Sequence, residues 1–220
     1  MPLVIAMDGP SGSGKSSASK GVARALGLRY LDTGAMYRAM TWWMLRAGVP
    51  VEDAEAVAAR AGEPVIESGT DPDAPTIAVD GTDVSGPIRT REVTNAVSAV
   101  SAVPRVRERL VALQREIIGA GGIVVEGRDI GTVVAPDAAV KIFLTASEEA
   151  RAARRAKDLA ADPGATVTVT LAEQARRDRL DSTRAASPLT KAPDAHEIDS
   201  TDLTLDEVIE TVVRLAKEAS

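Results

Sequence analysis

The chain has 220 residues, of which 45% are hydrophobic and only 2% aromatic, so it can form one core packed mainly with aliphatic side chains. Its formal net charge of −6 argues against a general nucleic-acid-binding protein, since any polyanionic ligand would have to meet a local cluster of arginines. The chain has no cysteine and a single histidine, His196, which excludes disulfides, thiolate metal sites and multi-histidine metal centres.

The N-terminal stretch has the order strand, glycine-rich turn and helix. Leu3 to Met7 is an apolar run of strand length, and Ser17 to Leu26 has the apolar spacing of a helix. Between them, Gly9-Pro10-Ser11-Gly12-Ser13-Gly14-Lys15-Ser16 fits the pattern G-x-x-x-x-G-K-[ST] of the phosphate-binding P-loop. The alternative interpretation is an ordinary Gly/Ser turn before a helix.

A P-loop assigns a role to each part of this turn. Its glycines let the backbone approach a ligand closely, and its N–H groups converge with the positive end of the helix on phosphate oxygens. Lys15 is expected to reach the β- and γ-phosphates, and the Ser16 hydroxyl is expected to bind Mg²⁺. The predicted ATP-binding residues are Gly9, Pro10, Ser11, Gly12, Ser13, Gly14, Lys15, Ser16 and Ser17.

The rest of the chain alternates predicted strands and helices. Further strands are predicted at Leu28–Leu31, Val65–Glu67, Thr76–Val79, Ile123–Glu126, Val140–Leu144 and His196–Asp199. Helices are predicted from residue 33 to Arg46 and at Glu52–Ala61, Ile88–Val103, Pro104–Ile118, Ser147–Leu159 and Leu171–Arg184, with a loop at Asp162–Gly164 and a last helix from the capping box Thr204–Glu207 to Ala219. This alternation predicts an α/β fold with a mostly parallel sheet, which binds ligands at the carboxyl ends of its strands. Residues 64–87 are predicted to form a small inserted antiparallel sheet.

Nothing in the sequence indicates a membrane or a protein partner. The N-terminal apolar run ends at Asp8, which is too early for a signal peptide, and no apolar stretch approaches the roughly 20 residues of a membrane span. We therefore expect a monomeric cytoplasmic protein.

A second candidate site follows the strand at Leu28–Leu31. Thr33 is predicted to cap the next helix, and Arg38 lies on its first turns, where the guanidinium could point at an anion. Because parallel strands end at one edge of the sheet, this segment should lie beside the P-loop. On its own, the segment fits a capped helix with an exposed arginine equally well.

A third candidate site follows the strand at Ile123–Glu126. Arg128 and Asp129 place a cation and a carboxylate just beyond the strand, although an Arg–Asp pair in a turn is the alternative. Glu126 directly ends the strand, so it is closer than Asp129 to the position of the metal-associated acid of P-loop proteins.

Arginines are dense between residues 151 and 184. Arg151, Arg154 and Arg155 have helical spacing, and a second group follows at Arg176, Arg177, Arg179 and Arg184. Phosphoryl transfer needs cations around the transferred group, and a helix–loop–helix lid could supply them on closing. The alternative is a solvated helix face, which we expect for some of these arginines.

Together these segments resemble the bacterial cytidylate kinases, within the nucleoside monophosphate kinase group of P-loop proteins. The resemblance covers nearly the whole chain. It is carried by Asp8–Ser16, Leu31–Arg38, Val84–Thr90, Pro104–Arg107, Glu126–Val134 and Val140–Leu144. Relatives often have Gly-Thr after the P-loop lysine, where this chain has Ser16-Ser17, which retains a hydroxyl group.

The resemblance implies a fold in three parts, with ATP, Mg²⁺ and the monophosphates CMP and dCMP as ligands. The implied core is residues 1–32, 119–150 and 187–220, the implied monophosphate-binding lobe is 33–118 and the implied lid is 151–186. The implied substrate-binding residues are Thr33, Tyr37, Arg38, Ser98, Arg107, Arg128, Asp129, Arg177, Asp181 and Arg184. The implied catalytic residues are Lys15, Arg128, Arg177 and Arg184.

Within that set, the resemblance suggests distinct roles. Arg38, Arg128 and Arg177 would hold the acceptor phosphate. Ser98, Arg107 and Asp129 would read cytosine. Asp181 would hold the ribose, and Arg184 would act near the phosphates.

Three other functions remain open at this stage. A nucleotide switch would need an Asn/Thr-Lys-x-Asp motif, but in Thr190–Asp194 the aspartate comes one residue late, and Asp83–Gly86 is only a weak D-x-x-G match. Another small-molecule kinase would leave Arg107 and Asp129 without an evident role. A regulatory protein that holds nucleotide without turnover would release no ADP when CMP is added.

Overall fold

The structure is a computed structural model that describes residues 2–158 and 167–219, with the backbone alone described at 155–158, 167–170 and 173. The strands are β1 (Val4–Asp8), β2 (Arg29–Asp32), β3 (Ile66–Ser68), β4 (Ile77–Val79), β5 (Thr82–Asp83), β6 (Ile123–Glu126), β7 (Val140–Thr145) and β8 (His196–Asp199). The helices are α1 (Lys15–Leu26), α2 (Thr33–Arg46), α3 (Ala54–Arg60), α4 (Arg91–Ala102), α5 (Pro104–Ile118), α6 (Glu148–Asp158), α7 (Val167–Thr183) and α8 (Leu205–Glu218).

The central sheet is parallel and has the strand order β2-β6-β1-β7-β8. Strand β1 lies in the centre of the sheet between β6 and β7, and its two faces are covered by helices, which explains why it is apolar without alternation. The register pairs Asp32 with Glu126 and Met7 with Glu126, so β1, β2 and β6 end side by side. The predicted parallel α/β sheet is confirmed.

Helices cover both faces of this sheet. Ile5 and Met7 of β1 point into one buried cluster, which α1 and α8 close with side chains such as Val22 and Val212. Ala6, the residue between them, points to the opposite cluster, which α2, α4 and α5 help to fill. The core is therefore split by the sheet into two layers of aliphatic side chains.

The predicted inserted sheet is confirmed as an antiparallel sheet of order β3-β4-β5 that packs on α2. Its strand β5 is absent from the sequence prediction. It consists of two exposed polar residues after the turn at Gly81, so no hydrophobic pattern marks it.

Several predicted boundaries differ from the structure. Helix α1 begins at Lys15, two residues earlier than predicted, and α7 begins at Val167, four residues earlier. The predicted helix Ile88–Val103 is divided, because Thr90 is extended between a 3₁₀ turn at Pro87–Arg89 and α4. The predicted loop Asp162–Gly164 lies outside the described residues.

The predicted cap of α2 was wrong by one residue. Asp32, not Thr33, caps the helix, because its carboxylate accepts the N–H of Ala35 at 2.9 Å. The predicted capping box of Thr204 and Glu207 is confirmed. Within residues 2–158 and 167–219, no helix is long and apolar enough to cross a membrane.

Candidate active site

A cleft of about 740 Å³ opens at the carboxyl ends of β1, β2 and β6. All of the predicted substrate-binding residues line it, together with most of the P-loop. The cleft residues among the sequence predictions are Ser11, Gly12, Gly14, Lys15, Ser16, Ser17, Thr33, Tyr37, Arg38, Ser98, Arg107, Arg128, Asp129, Arg177, Asp181 and Arg184. The structure therefore brings the separate sequence motifs to one edge of the sheet, as the strand–helix alternation predicted.

Three of the predicted ATP-binding residues, Gly9, Pro10 and Ser13, do not line the cleft. Ser13 is fully buried and donates to the Pro10 carbonyl oxygen at 3.1 Å. Gly9 has a φ of 145°, and a Cβ there would lie 2.1 Å from the Leu144 carbonyl oxygen, so only glycine fits beside β7. The loop ends at Gly14, which precedes α1 in the left-handed region with a φ of 90°.

The Lys15 side chain lies inside the loop. Its Nζ donates to the Pro10 carbonyl oxygen at 2.7 Å, and the residue is only 6% exposed. Burial lowers the pKa of Lys15, and the nearby charge of Arg128 lowers it further, while Glu126 and Asp8 act in the opposite direction. The Pro10 carbonyl and the nearby carboxylates therefore offset only part of the hydration that the ammonium group loses on burial.

Glu126 is the centre of a buried polar network at the end of β6. Its Oε2 accepts the Ser16 hydroxyl at 3.0 Å, its Oε1 accepts the Tyr30 hydroxyl, and its backbone oxygen accepts the Thr33 hydroxyl at 2.7 Å. Burial raises the pKa of Glu126, and Asp32 raises it further. Ser16 and Glu126 thus place a hydroxyl and a carboxylate oxygen together beside Lys15.

At another part of the cleft, Arg107 and Asp129 form an ion pair in which both side chains are about 5% exposed. Arg107 Nη1 also donates to the Ser101 carbonyl oxygen at 3.1 Å, and its guanidinium lies 5.2 Å from the centre of the Tyr37 ring. Arg184 Nη2 lies 3.9 Å from the other carboxylate oxygen of Asp129. A buried carboxylate between two guanidinium groups is therefore presented to the cleft.

The cleft is also lined by three arginines from separate segments: Arg38 of α2, Arg128 of the loop after β6, and Arg177 of α7. Arg38 donates from α2 to the Ile88 carbonyl oxygen and to the Thr94 hydroxyl, both at 3.0 Å. Arg128 Nε lies 3.3 Å from Asp181 Oδ2. Arg177 Nη1 lies 3.4 Å from the Ser11 hydroxyl oxygen of the P-loop.

The helices α6 and α7 lie against the P-loop. Arg151 Nη1 donates to the Ser11 carbonyl oxygen at 3.1 Å and pairs with Asp178. Gln174 is buried and donates to the Arg151 carbonyl oxygen at 3.3 Å. As expected for some of these arginines, Arg176 and Arg179 are solvent-exposed; the side chain of Arg155 lies outside the described residues.

Sequence reasoning missed several cleft residues. The polar or charged ones are Lys20, Asp32, Arg89 and Ser101. Lys20 lies on α1 and reads as an ordinary exposed helix position, and Arg89 sits on the 3₁₀ turn that was predicted as helix. Lys20 carries no local pattern, and the resemblance of Val84–Thr90 assigns no role to Arg89, so only the tertiary arrangement shows that both side chains reach the cleft.

Comparison with known proteins gives consistent results. A family model described as cytidylate kinase matches residues 5–218. The chain is 62% identical over 218 residues to a cytidylate kinase of Streptomyces avermitilis, covering 98% of this chain and 93% of that protein. It is 56% identical over 219 residues to a cytidylate kinase of Nocardia farcinica, covering 99% and 94%.

Similar solved structures are much more distant in sequence. An uncharacterized protein from Eubacterium ventriosum has a TM-score of 0.55 at 11% identity, covering 99% of both chains. A gluconokinase from Sinorhizobium meliloti has a TM-score of 0.50 at 15% identity, covering 99% of this chain and 93% of that one. At such identities the likeness shows the fold alone.

Proposed function

The chain belongs to the cytidylate kinase family, and from that membership we propose that it transfers the γ-phosphoryl group of ATP to CMP and dCMP. The products are ADP and CDP or dCDP. An oxygen of the acceptor phosphate attacks the γ-phosphorus, and the bond from that phosphorus to the oxygen bridging to the β-phosphate breaks. ADP carries the bridging oxygen away.

The buried pair of Arg107 and Asp129 is the observation that carries the choice of acceptor. Cytosine presents an exocyclic amine, a hydrogen-bond donor, beside ring acceptors. A carboxylate accepts from that amine, and a guanidinium donates to the neighbouring acceptors, so the two side chains complement this edge. Uracil presents a carbonyl oxygen where cytosine has the amine, and that oxygen would face the Asp129 carboxylate with no proton between them.

The P-loop is proposed to hold the triphosphate of ATP. The loop N–H groups and the N-terminus of α1 favour negative charge, and Lys15 adds a cation among them. On binding, the γ-phosphate oxygens replace the Pro10 carbonyl as the partner of the Lys15 ammonium. The charge that develops during transfer is then stabilised by a group already in place.

Mg²⁺ is the implied metal, and the residues present fit it. Mg²⁺ takes oxygen ligands and is usually held by one or two protein groups, phosphates and water. Ser16 and Glu126 supply a hydroxyl and a carboxylate 3.0 Å apart, and no cluster of three or more His, Cys, Asp or Glu occurs in residues 2–158 and 167–219. The ion, when bound with ATP, neutralises charge on the β- and γ-phosphates.

Replacing Glu126 with glutamine is expected to raise the Mg²⁺ concentration for half-maximal activity about tenfold, because the neutral amide attracts the cation and its water shell less strongly. Activity against Mg²⁺ at fixed ATP measures this, and ATP affinity in EDTA should change little. Tyr30→Phe is the matched control, since it removes the hydroxyl bonded to the other carboxylate oxygen and leaves the charge in place. An unchanged Mg²⁺ requirement in Glu126→Gln contradicts the assignment.

The acceptor phosphate is proposed to lie among Arg38, Arg128 and Arg177, with Arg184 close to the transferred group. Since the attacking group is already an anion, the reaction needs alignment and charge neutralisation more than a general base. Asp181, which lies next to Arg128, is proposed to accept from the ribose hydroxyls. Ser98 is buried on α4 at the cleft and is proposed to assist at the nucleoside.

The division into core, monophosphate-binding lobe and lid is proposed with the boundaries stated above. The lid at 151–186 includes α7 and the part of α6 from Arg151 onwards, and Arg151 and Arg177 of these helices contact Ser11 of the P-loop. Closure of such a segment excludes water that would otherwise hydrolyse ATP. Monomeric state, location in the cytoplasm and the absence of nucleic-acid binding remain predictions.

The nucleotide-switch alternative gains no support from the structure. Lys191 pairs with Glu197 and Asp194 pairs with Lys141, and none of these residues lines the cleft. Another small-molecule kinase is the remaining competing function, because the P-loop and the arginines suit any phosphoryl transfer.

ADP formation from ATP and Mg²⁺ with CMP, dCMP, UMP and AMP tests the proposal. Rapid turnover with CMP and dCMP, and little with UMP or AMP, is expected. Equal turnover with UMP would retain the kinase activity and contradict the cytosine-reading role of Asp129. No turnover with any of the four would contradict the proposed acceptor, while ATP binding to the P-loop could still be measured separately.

A further inference from the structure

Asp8 is the last residue of β1 and directly precedes the P-loop, yet it does not line the cleft. The residue is 5% exposed, and each of its carboxylate oxygens accepts a hydrogen bond from the backbone of another segment. Oδ1 accepts the backbone N–H of Ile130, and Oδ2 accepts that of Gly131, both at 2.8 Å. The side chain thus joins two segments 122 residues apart in sequence.

The segment that Asp8 holds begins immediately after Asp129. Residues Ile130–Val134 form a single π-helical turn, in which the N–H groups of Val133 and Val134 both bond to the Asp129 carbonyl oxygen. The first N–H groups of any helical turn have no partner inside it. At this turn both partners come from Asp8, so the carboxylate acts as a cap supplied by a different strand.

The position of Asp8 is set independently of this contact. Its backbone pairs with Phe143 of β7, and the neighbouring Met7 carbonyl oxygen accepts the Gly127 N–H at 3.0 Å. The approach to the turn is close, since a Cβ on Gly131 would lie 3.4 Å from Asp8 Oδ2 and 3.2 Å from Lys141 Cδ. The strand pairing of β1 therefore fixes the position of the Asp8 carboxylate, and the two hydrogen bonds from Ile130 and Gly131 set the position of the turn relative to it.

We propose that Asp8 is a positioning residue for acceptor recognition, which holds the two amides after Asp129 and thereby sets that carboxylate against Arg107 and the cytosine edge. The same residue ends the strand from which the P-loop begins, so the donor-binding and acceptor-binding segments share one anchor. This inference rests on the proposed function, because it assigns Asp8 to the base-reading role of Asp129.

The chemistry of Asp8 favours positioning over direct participation. Both carboxylate oxygens are occupied by amides, and the group lies outside the cleft, so it is not placed to touch a nucleotide. Burial is the main cause that raises the pKa of Asp8 to about 6, while the hydrogen bonds from the Gly131 and Ile130 amides act to lower it. The two amides thus favour the ionised carboxylate that burial disfavours, which fits a group whose charge is used to hold the turn.

The variant Asp8→Asn tests the proposal. Asparagine has the same shape but one acceptor oxygen, so one of the two backbone N–H groups loses its partner and faces the side-chain NH₂. We expect the KM for CMP to rise about tenfold or more, and the preference for CMP over UMP in kcat/KM to fall by a similar factor. The Kd for ATP should change less than about threefold, because the sheet holds the start of the P-loop. Amide hydrogen exchange at Ile130 and Gly131 should accelerate.

Asp53→Asn is the control for an Asp-to-Asn change at a cap away from the cleft, because the exposed Asp53 accepts two backbone N–H groups on Oδ1 at the start of α3. It should leave both KM values unchanged. Faster exchange at the turn in Asp8→Asn with an unchanged KM for CMP and unchanged CMP preference would overturn the proposal. So would an equal loss of ATP and CMP affinity.

A second variant covers the case in which Asp8→Asn does not fold. Gly131→Ala keeps the carboxylate and adds a methyl group 3.2 Å from Lys141 Cδ and 3.4 Å from Asp8 Oδ2, and the first of these contacts is tight enough that the turn or Lys141 must shift. A folded Gly131→Ala with faster amide exchange at the turn, a raised KM for CMP and a near-native Kd for ATP supports the inference, and faster exchange with an unchanged KM for CMP overturns it. If the unmodified protein shows no preference for CMP over UMP, the proposed function fails, which is a separate result.

Discussion

Asp129→Asn is expected to lower kcat/KM for CMP about 10³-fold and to abolish most of the preference for CMP over UMP. Asparagine keeps the shape of the side chain, but it leaves the buried guanidinium groups of Arg107 and Arg184 without their carboxylate. A site built to pair a polar group on the base loses orders of magnitude when that group is left unpaired. Steady-state kinetics with each nucleotide measure both effects.

The same variant is expected to lower the free energy of unfolding by about 3–5 kcal/mol, because one member of a buried ion pair is removed. Asp194→Asn is a control outside the cleft, with a carboxylate whose side chain is 64% exposed. Asp194 is also the partner of a buried cation, Lys141, but it lies outside the cleft. We expect Asp194→Asn to reduce stability with the CMP preference retained, and a similar loss of preference in both variants would mean that unfolding, not recognition, explains the Asp129 result.

Lys15→Met is expected to lower kcat about 10³-fold, since it removes a preorganised cation from the developing charge. Its effect on stability should be small or favourable, because burial lowers the pKa of Lys15 and a charged ammonium there costs free energy. Single-turnover kinetics and thermal unfolding measure the two effects separately.

Lys20→Met is the matched control for Lys15→Met. Lys20 lies on the same helix and also lines the cleft, but its Nζ lies 5.6 Å from the centre of the Tyr30 ring and not inside the P-loop. We expect a loss of less than tenfold in kcat. A Lys15→Met enzyme within tenfold of the unmodified protein would contradict the proposed role of Lys15.

Much of the fold follows from local sequence. The P-loop could be predicted because its glycines, Lys15 and Ser16 are contiguous and stand between a strand pattern and a helix pattern. The central strands β1 and β6 of the parallel sheet are largely apolar runs, which burial on both faces requires. Because parallel strands end at one edge of the sheet, the sequence also predicts that Arg38, Asp129 and the P-loop lie close together.

The rest depends on contacts that no local pattern encodes. The cap of α2 is Asp32 and not its neighbour Thr33, whose hydroxyl is instead taken by the Glu126 carbonyl oxygen across the sheet. The π-helical turn after Asp129 has the sequence of an ordinary apolar stretch, and its partner Asp8 lies 122 residues away in the sequence. The roles of Thr33 and Asp8 can therefore be recognised only in the folded structure, where the sheet brings each of them to its partner.

A competition between CMP and UMP tests the central claim most directly. CMP and UMP are mixed at equal concentrations in one reaction with ATP and Mg²⁺. The ratio of the initial rates of CDP and UDP formation then equals the ratio of the two kcat/KM values. If Asp129 and Arg107 read the cytosine edge, CDP should exceed UDP by about 10³-fold in the unmodified protein, and that ratio should approach one in Asp129→Asn. A ratio near one in the unmodified protein, or an unchanged ratio in the variant, would contradict the account.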